Sequence, residues 1–245
     1  MIRIFLPPDT LSTDKITITG DQARHLSVVL RTAPSDHLII FDGTGFKYTC
    51  NVLEVHKKEV IVEKIKKEFH SAESPLSITL AQGLPKSDKM DLIVQKSTEL
   101  GVTQIIPLIT ERSQIRHTGK VERWQKIALS ASQQCGRAQI PVIAYPISME
   151  HYLREHLPVE QFPQAHIIFS EAYSGNHLKE ILTGFKGVGA ISLLVGPEGG
   201  FSKEEITSAV KKGFIEASLG PRILRTETAP ITAISIIQYE LGDIG

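Results

Sequence analysis

The chain has 245 residues, of which 41% are hydrophobic, and this supports one or two domains with real cores and excludes a disordered protein. Its 27 basic and 27 acidic residues cancel, which argues against binding nucleic acid through overall charge alone. We expect a soluble cytoplasmic protein with reduced thiols and no metal site, because the chain lacks a signal-like start, a membrane-length apolar run and closely spaced cysteines.

The first 70 residues are predicted to form a small β-barrel or sandwich-like module. Short segments with period-two alternation predict its strands: RIFL, KITIT, HLIIFDG, FKYTCNVLEV and EVIVEKI. One helix is expected over Asp21–Arg31, with an apolar stripe of Leu26, Val29 and Leu30 and with Arg24 and Arg31 more exposed. Apolar content then falls, and a linker is placed near residues 68–75 because the stretch ends at Pro75.

From residue 75 onward strands alternate with helices, which predicts a parallel sheet covered by helices on both faces. The predicted strands are LSITLAQGL, VTQIIPLIT, AHIIFSEA, AISLLVG and FIEASLG. The predicted helices are SDKMDLIVQKSTELG, VERWQKIALSASQQCG, a stretch around 177–182, SKEEITSAVKKG and a last helix over about 228–241. Ser202 with Glu205 forms a capping-box pattern before one helix, and Ser87 is expected to cap another.

The middle of the chain carries the positive surplus. Residues 71–140 contain nine Lys and Arg residues against six Asp and Glu residues. A local cluster of basic residues consists of Arg112, Arg116, Lys120, Arg123 and Lys126. Two interpretations remain open at this point: the cluster contacts several phosphates, or it is the solvated face of a helix.

Two loops that follow predicted strands are unusual. In LLVGPEGGFSKEEI, Gly196, Gly199 and Gly200 allow close approach of the backbone to a ligand, but the dinucleotide fingerprint and the P-loop lysine are missing. A neutral or cationic nucleoside suits this loop better than a phosphate, and the alternative is a tight turn. In LGPRILRTETAP, Arg222 and Arg225 alternate with aliphatic residues, which indicates a pocket with a charged opening or a connecting loop with one structural arginine.

The two loops together resemble the signature of the RsmE family, the 16S ribosomal RNA (uridine-N3)-methyltransferases of the SPOUT superfamily. The resemblance runs along nearly the whole chain, through HLSVVLR, FDGTG, QKSTELGV, ITERS, QQCGR, LLVGPEGGFS and LGPRILRTETA. It implies a PUA-like RNA-binding β-barrel at 1–70 and, at 75–245, an α/β domain with a parallel sheet, helices on both of its faces and a chain that passes through itself in a trefoil knot. The knot comes from the resemblance alone, since connections that thread through themselves are rare.

The resemblance also implies S-adenosylmethionine (SAM) as cofactor, held by three loops. The implied cofactor-binding residues are Phe169, Ser170, Glu171, Leu194, Gly196, Pro197, Glu198, Gly199, Gly200, Leu219, Gly220, Ile223, Leu224, Arg225 and Thr226. The chain departs from the family pattern twice, with Pro34-Ser35-Asp36 in place of a Gly-Asp pair and with Pro230 in place of a small residue. The first departure affects a turn of the barrel, and the second affects the loop that enters the last helix.

Methyl transfer to N3 of uridine requires alignment of the acceptor and removal of a weakly acidic proton. Arg225 is the candidate for electrostatic stabilisation at the uracil oxygens. Glu198 and Glu227 are candidate proton acceptors, and for both the alternative is that the carboxylate only braces its loop.

RNA contacts are predicted for seven residues that carry or can carry positive charge: Arg3, Arg24, His25, Arg31, Arg112, Arg116 and Arg137. For His25 a packed core position is an equal alternative. The family implies 16S rRNA in the small ribosomal subunit as partner and a homodimer. The apolar last helix, with Ile231, Ile234, Ile237 and Leu241, either supplies part of the dimer surface or is an ordinary core helix.

Three other functions compete with this hypothesis. One is a non-catalytic RNA-binding ribosome assembly factor that keeps the fold. Another is a SPOUT methyltransferase with a different RNA target, such as a tRNA ribose hydroxyl. A nucleotide-dependent enzyme is disfavoured by the missing phosphate-binding motifs.

Overall fold

A computed structural model describes residues 2–69, 73–155, 164–171, 175 and 177–245 of the chain. The chain divides into two compact units, Met1–Glu73 with Ser132–Ile140 and Ser74–Ala131 with Pro141–Gly245. Residues 70–72 of the expected linker lie outside the described residues, and its first two residues, Glu68 and Phe69, belong to a strand. Within the described part of the chain, no helix is both long and apolar enough to cross a bilayer.

The first unit is built on a curled five-stranded sheet. Its strands are β1 (Ile2–Phe5), β2 (Lys15–Thr19), β3 (His37–Phe41), β4 (Phe46–Val55) and β5 (Glu59–Phe69), in the order β1-β3-β4-β5-β2. The predicted strands are therefore confirmed, and β5 is longer than expected. The register of β4 on β5 shifts twice, at Thr49/Cys50 and at Val52/Glu54, and such irregularities bend and curl a sheet.

The helix of the first unit is shorter than predicted and changes its winding. It begins as α1 (Gly20–Arg24) and continues as a π-helical turn over His25–Val29. Leu26 is fully buried, whereas Val29 and Leu30 are 63% and 40% exposed. The predicted apolar stripe is therefore wrong beyond Leu26, because the wider π turn rotates the following side chains away from the core.

One departure from the family pattern has a structural counterpart in this unit. Ser35 has φ 74, in the left-handed region that favours glycine. The backbone at this turn is thus one that a Gly-Asp pair would adopt without strain. The serine keeps the turn, and the amide of Ser35 donates a hydrogen bond to Val52 O at 2.8 Å.

The second unit contains a parallel sheet of seven strands in the order β12-β10-β11-β6-β7-β8, with β9 also paired to β7. The strands are β6 (Ser77–Gly83), β7 (Gln104–Ile109), β8 (Val142–Ile143), β9 (Ile147–Ser148), β10 (Gln164–Phe169), β11 (Ala190–Val195) and β12 (Ile215–Ala217). The helices are α2 (Lys89–Glu99), α3 (Val121–Cys135), α4 (Met149–Glu155), α5 (Leu178–Thr183), α6 (Lys203–Lys211) and α7 (Thr228–Leu241). Strands β8 and β9 and helix α4 were not predicted.

Most of the predicted helix ends agree with the structure. Ser202 accepts from the Glu205 amide and Glu205 bonds back, which confirms the capping box before α6. The prediction for Ser87 is wrong, because Asp88 occupies the N-cap of α2 while Ser87 adopts φ 58. Pro230 lies in the first turn of α7, where a proline is tolerated.

The last helix returns from the edge of the sheet to its centre. Strand β12 is an edge strand that pairs with β10, yet α7 packs against α2, the helix that follows the more central β6. Buried Gln238 fixes this packing, because its Nε2 donates to Leu100 O at 2.8 Å. Ile234 and Ile237 are fully buried, as the core-helix interpretation requires of these two residues. The connecting segment 218–227 consequently crosses the ends of the strands that lie between.

Candidate functional site

The glycine-rich loop begins where β11 ends, at the carboxyl edge of the parallel sheet. The Gly200 amide donates to Pro197 O at 2.9 Å, and Gly200 has φ 65. A Cβ atom on Gly196 would lie 2.9 Å from Gly200 Cα, closer than real side chains approach. The loop is therefore a closed turn whose two ends need glycine, as predicted for a backbone cradle.

The end of β6 packs directly under this turn. A Cβ atom on Gly83 would lie 2.5 Å from Pro197 Cδ and 2.6 Å from Pro197 N. Gly83 is thus part of the site, although it was not predicted from the sequence. The signal available in the sequence was a Gln-Gly pair ending the first strand of a parallel sheet, where ligands commonly bind.

Thr226 and Gln82 join the glycine loop to the second unusual loop. Thr226 Oγ1 donates to Gly196 O at 3.0 Å, and Gln82 Nε2 donates to the same oxygen at 3.2 Å and to Gly83 O at 3.0 Å. Gln82 is fully buried, and its Oε1 atom has no hydrogen-bond partner among the described residues. A buried acceptor without a donor costs about 1–3 kcal/mol, so Gln82 Oε1 is a candidate contact for a ligand.

The third predicted loop reaches the same edge. Phe169 ends β10 and lies opposite Ala217 of β12, and the Ser170 amide donates to Ala217 O at 3.1 Å. Phe169 is buried, Ser170 is half-buried and Glu171 is exposed. Since β10 lies between β11 and β12 in the sheet, the loops after these three strands are neighbours.

The remaining predicted cofactor residues differ in their exposure. Leu194 is fully buried in the core beside α4 and α6, so its side chain faces away from any ligand and only its backbone is available. Leu219 and Gly220 are half-buried, and Gly220 has φ 102. Ile223 is 78% exposed and Leu224 is half-buried.

Lys89 draws the two predicted glutamates together. Its Nζ atom lies 2.9 Å from Glu198 Oε1 and 3.4 Å from Glu227 Oε2. The Lys86 amide donates to Glu198 Oε1 at 3.1 Å. Arg225, with an 84% exposed side chain, lies 4.0 Å from the other oxygen of Glu227. Lys86 and Lys89 were not predicted from the sequence, because their partners lie more than a hundred residues away along the chain.

The surroundings of Glu198 favour the bracing alternative for this carboxylate. Burial by itself raises the pKa of Glu198, but the hydrogen bonds from Lys89 and from backbone amides outweigh burial and lower the pKa below its ordinary value. A carboxylate with a lowered pKa is a weaker proton acceptor. Glu198 therefore ties the glycine loop to the start of α2.

Arg112 supports the glycine loop from its other side. Its Nη1 atom donates to Gly199 O at 2.8 Å, and a Cβ atom on Gly199 would lie 3.2 Å from Arg112 Cβ. The neighbouring Glu111 amide donates to Glu205 Oε1 of the capping box at 2.8 Å. Arg112, the first residue of the basic cluster, thus positions the glycine-rich loop.

The residues predicted to contact RNA fall into two groups. Arg24, His25, Arg31, Arg112 and Arg116 are exposed, so the packing alternative for His25 is wrong. Arg3 and Arg137 differ from these five, because both form contacts inside the first unit. Arg137 is 5% exposed and forms two hydrogen bonds with Glu73 Oε2, at 2.9 and 2.7 Å. Half-buried Arg3 donates to Gly136 O at 2.6 Å.

In the described parts of the chain, the cysteines and the acidic side chains form neither a disulfide nor a metal site. Cys50 is buried and Cys135 is exposed, and both are free thiols. Burial raises the pKa of the Cys50 thiol to about 11, so it is an inert core residue. Among the described residues no group of three or more His, Cys, Asp or Glu side chains is placed to hold a metal ion.

Comparison with known proteins matches both parts of the chain to RNA methyltransferase families. Residues 72–238 match the family model of an RNA methyltransferase domain, and residues 18–65 match that of an RNA methyltransferase PUA domain. The chain is 36% identical to ribosomal RNA small subunit methyltransferase E of Buchnera aphidicola, covering 98% of this chain and 94% of that protein. It is 32% identical to the Bacillus subtilis protein of the same name, covering 91% and 90%.

Solved structures give the same result. A ribosomal RNA small subunit methyltransferase E from Neisseria gonorrhoeae, crystallised with S-adenosyl methionine, is 37% identical with a TM-score of 0.91 over all of both chains. A Legionella pneumophila structure with bound SAM is 37% identical with a TM-score of 0.88 over 99% of both chains. The expected fold class, a SPOUT α/β domain with a PUA-like N-terminal barrel, is confirmed by these matches.

Proposed function

The chain belongs to the ribosomal RNA small subunit methyltransferase E family, and from this membership we propose that it transfers a methyl group from SAM to N3 of a uridine in 16S rRNA. The observation that carries the proposal is the joining of two strand-end loops to the end of β6 at one edge of the parallel sheet, through Gly196, Thr226 and Gln82. This arrangement offers backbone carbonyls and a buried acceptor without the phosphate-binding motifs of a nucleotide enzyme.

The residues present fit SAM as the cofactor. The unpartnered Gln82 Oε1 atom is an acceptor, and SAM carries donors on its adenine, ribose and amino groups. Gly83, Gly196 and Gly200 leave room at the cradle that a side chain would fill. When bound, SAM supplies an electrophilic methyl group on a positively charged sulfur. The loops at 169–171, 196–200 and 219–226 would hold it.

The residues of the chain then have separate roles. Lys89 holds Glu198 at the shorter distance, 2.9 Å, and Glu227 at 3.4 Å. Glu198 therefore braces the glycine loop, while Glu227, 15% exposed and less tightly held, is the better candidate to accept the N3 proton. Exposed Arg225 lies beside Glu227 and stabilises negative charge that develops on the uracil oxygens.

Methyl transfer into small ribosomal subunits that lack the modification tests the function. We expect incorporation from SAM and, after digestion of the RNA, recovery of the methyl group as 3-methyluridine. A methylated ribose would instead indicate a different SPOUT activity. If SAM does not bind at millimolar concentration, the chain is a non-catalytic assembly factor.

Replacing Arg225 by alanine is expected to lower kcat about 100-fold. Loss of one preorganised stabilising group costs about 2.7–4 kcal/mol, and the exposure of Arg225 places the effect at the lower end. KM for the RNA should change much less. Arg225→Lys, which keeps the charge, should recover part of the rate. The matched control is Arg222→Ala, an exposed arginine of the same loop. Equal kcat for Arg225→Ala and the unaltered enzyme would show that Arg225 has another role.

We propose the small ribosomal subunit as the partner and the cytoplasm, where ribosomes are assembled, as the location. We also propose a homodimer. Its support is the exposed apolar surface on the paired helices α2 and α7, where Leu92 is 41% and Tyr239 is 66% exposed. Light scattering should give twice the chain mass, and a monomer mass at micromolar concentration would refute the dimer.

A further inference from the structure

A cavity of about 260 Å³ lies beside the proposed reaction centre, within the second unit. Its apolar wall is formed by Leu84, Pro85, Met90, Ile115 and Trp124. Trp124 is held rigidly, because its Nε1 atom donates to Asp91 Oδ1 at 3.1 Å. The polar side chains around the cavity are Ser87, His117, Thr118 and Lys120. The cavity thus combines an apolar wall with hydrogen-bonding groups.

One chain segment faces both this cavity and the reaction centre. Leu84 and Pro85 line the cavity, and the next residue, Lys86, donates its amide to Glu198 of the glycine loop. Lys89, which also holds Glu198, precedes Met90 of the cavity wall. The residues that line the cavity are therefore direct chain neighbours of Lys86 and Lys89, which hold Glu198 at the reaction centre.

A second cavity of about 350 Å³ adjoins the first. The turn formed by His117, Thr118 and Gly119 lines both cavities, and Arg116 lines the second. Arg116 Nη2 donates to the backbone carbonyl of Glu111 at 3.2 Å. This carbonyl is neutral, so the contact does not neutralise the positive charge of Arg116. Lys120, by contrast, pairs with Asp88 at 2.9 Å. The positive charge is thus placed at the second cavity.

We propose that the smaller cavity holds one base of the RNA substrate, splayed out of its strand, and that Arg116 in the adjoining cavity binds the neighbouring phosphate. The inference rests on the proposed function and adds a substrate subsite to it. Single-stranded bases are recognised by stacking on apolar and aromatic walls with hydrogen bonds to their edges, and phosphates by arginine. A volume near 260 Å³ is below the range of about 300–1,000 Å³ that is usual for drug-sized ligands, which suits a single base.

Gly119 provides the variant that tests this subsite. It lines both cavities, and a Cβ atom there meets nothing within 4 Å, so a side chain can be added without a clash at the backbone. Gly119→Phe adds a ring to the lining that the two cavities share, and Gly119→Ala is the matched control. We expect Gly119→Phe to raise KM for small subunits at least tenfold, with Gly119→Ala within twofold of the unaltered enzyme.

Two measurements without methyl transfer accompany the kinetics. Calorimetry should give the same Kd for SAM in both variants, because the cavity is outside the cofactor loops. A short single-stranded RNA carrying one 4-thiouridine, irradiated with the protein, should crosslink to peptides within 84–90 or 115–120 in Gly119→Ala and lose that crosslink in Gly119→Phe.

Other outcomes would overturn the subsite. An unchanged KM in Gly119→Phe means that RNA does not enter the cavity. A weakened Kd for SAM means that the cavity belongs to the cofactor, and an altered molecular mass means that a second copy of the chain covers it. Failure of the proposed function is distinguishable from all of these, because the unaltered enzyme would then methylate no RNA.

Discussion

Replacing Gly83 by alanine is expected to raise the Kd for SAM about ten- to hundredfold. The added Cβ would lie 2.5 Å from Pro197 Cδ and 2.6 Å from Pro197 N, so the glycine loop must move. Overpacking of this kind costs about 1–3 kcal/mol, and each 1.4 kcal/mol is tenfold in affinity. Because Gly83 also accepts a hydrogen bond from Gln82, the shift displaces the acceptor proposed to contact the cofactor. Calorimetric titration with SAM measures the effect directly.

A control separates this effect from general loss of stability. Gly184 caps α5 at φ −79, and a Cβ there would lie 3.4 Å from Ile181 O, an ordinary contact distance. Gly184→Ala should therefore bind SAM as the unaltered protein does. If Gly83→Ala also binds SAM normally while its fold is intact, the contact between β6 and the glycine loop does not shape the cofactor site.

Arg137→Ala is expected to destabilise the first unit by about 3 kcal/mol. Removing one member of a buried ion pair costs about 3–5 kcal/mol, because the other charge is left without compensation, and the 15% exposure of Glu73 places the effect at the lower end. Glu73 Oε1 also accepts from the Ala138 and Gln139 amides, at 3.2 and 3.1 Å. Hydrogen exchange of amides in β3 and β4 reports the stability of this unit separately from the second.

The exposed pair of Arg154 with Glu155, at 3.0 Å, supplies the matched control for Arg137. Arg154→Ala should change stability by less than about 1 kcal/mol, since surface ion pairs contribute little. Arg137→Lys keeps the charge but loses the two-point geometry, and it should lie between the two. If Arg137→Ala shows normal hydrogen exchange and a raised KM for RNA, Arg137 contacts RNA as predicted from the sequence and does not stabilise the first unit.

Much of the fold followed from local patterns. Period-two alternation located the strands of the first unit, and alternation of strands with helices indicated the parallel sheet, because each pattern reports which side of an element is buried. The capping box at Ser202 and Glu205 was equally local. Errors arose where the backbone departs from regular winding, as at the π turn that exposes Val29 and at Ser87, whose positive φ moves the N-cap to Asp88.

The residues of the candidate site were likewise only partly predictable from the sequence. Gly196, Gly200, Thr226 and Arg225 were identifiable because two unusual loops carry them, and the family resemblance depended on those loops. Gln82, Gly83 and Lys89 were not, because ordinary residues acquire a role only when β6 is placed against β11. Arg137 shows the converse, since an arginine in a basic stretch is used inside the first unit by Glu73.

The sequence by itself thus determined most of the strands and helices and the glycine-rich loop, which depend on neighbours along the chain. Tertiary structure alone decided which groups meet at the site. The segment after β12 must cross the ends of β10 and β11 to bring α7 onto α2, and this crossing places Thr226 on Gly196. Contacts between residues so far apart arise from the packing of whole elements, which no local pattern encodes.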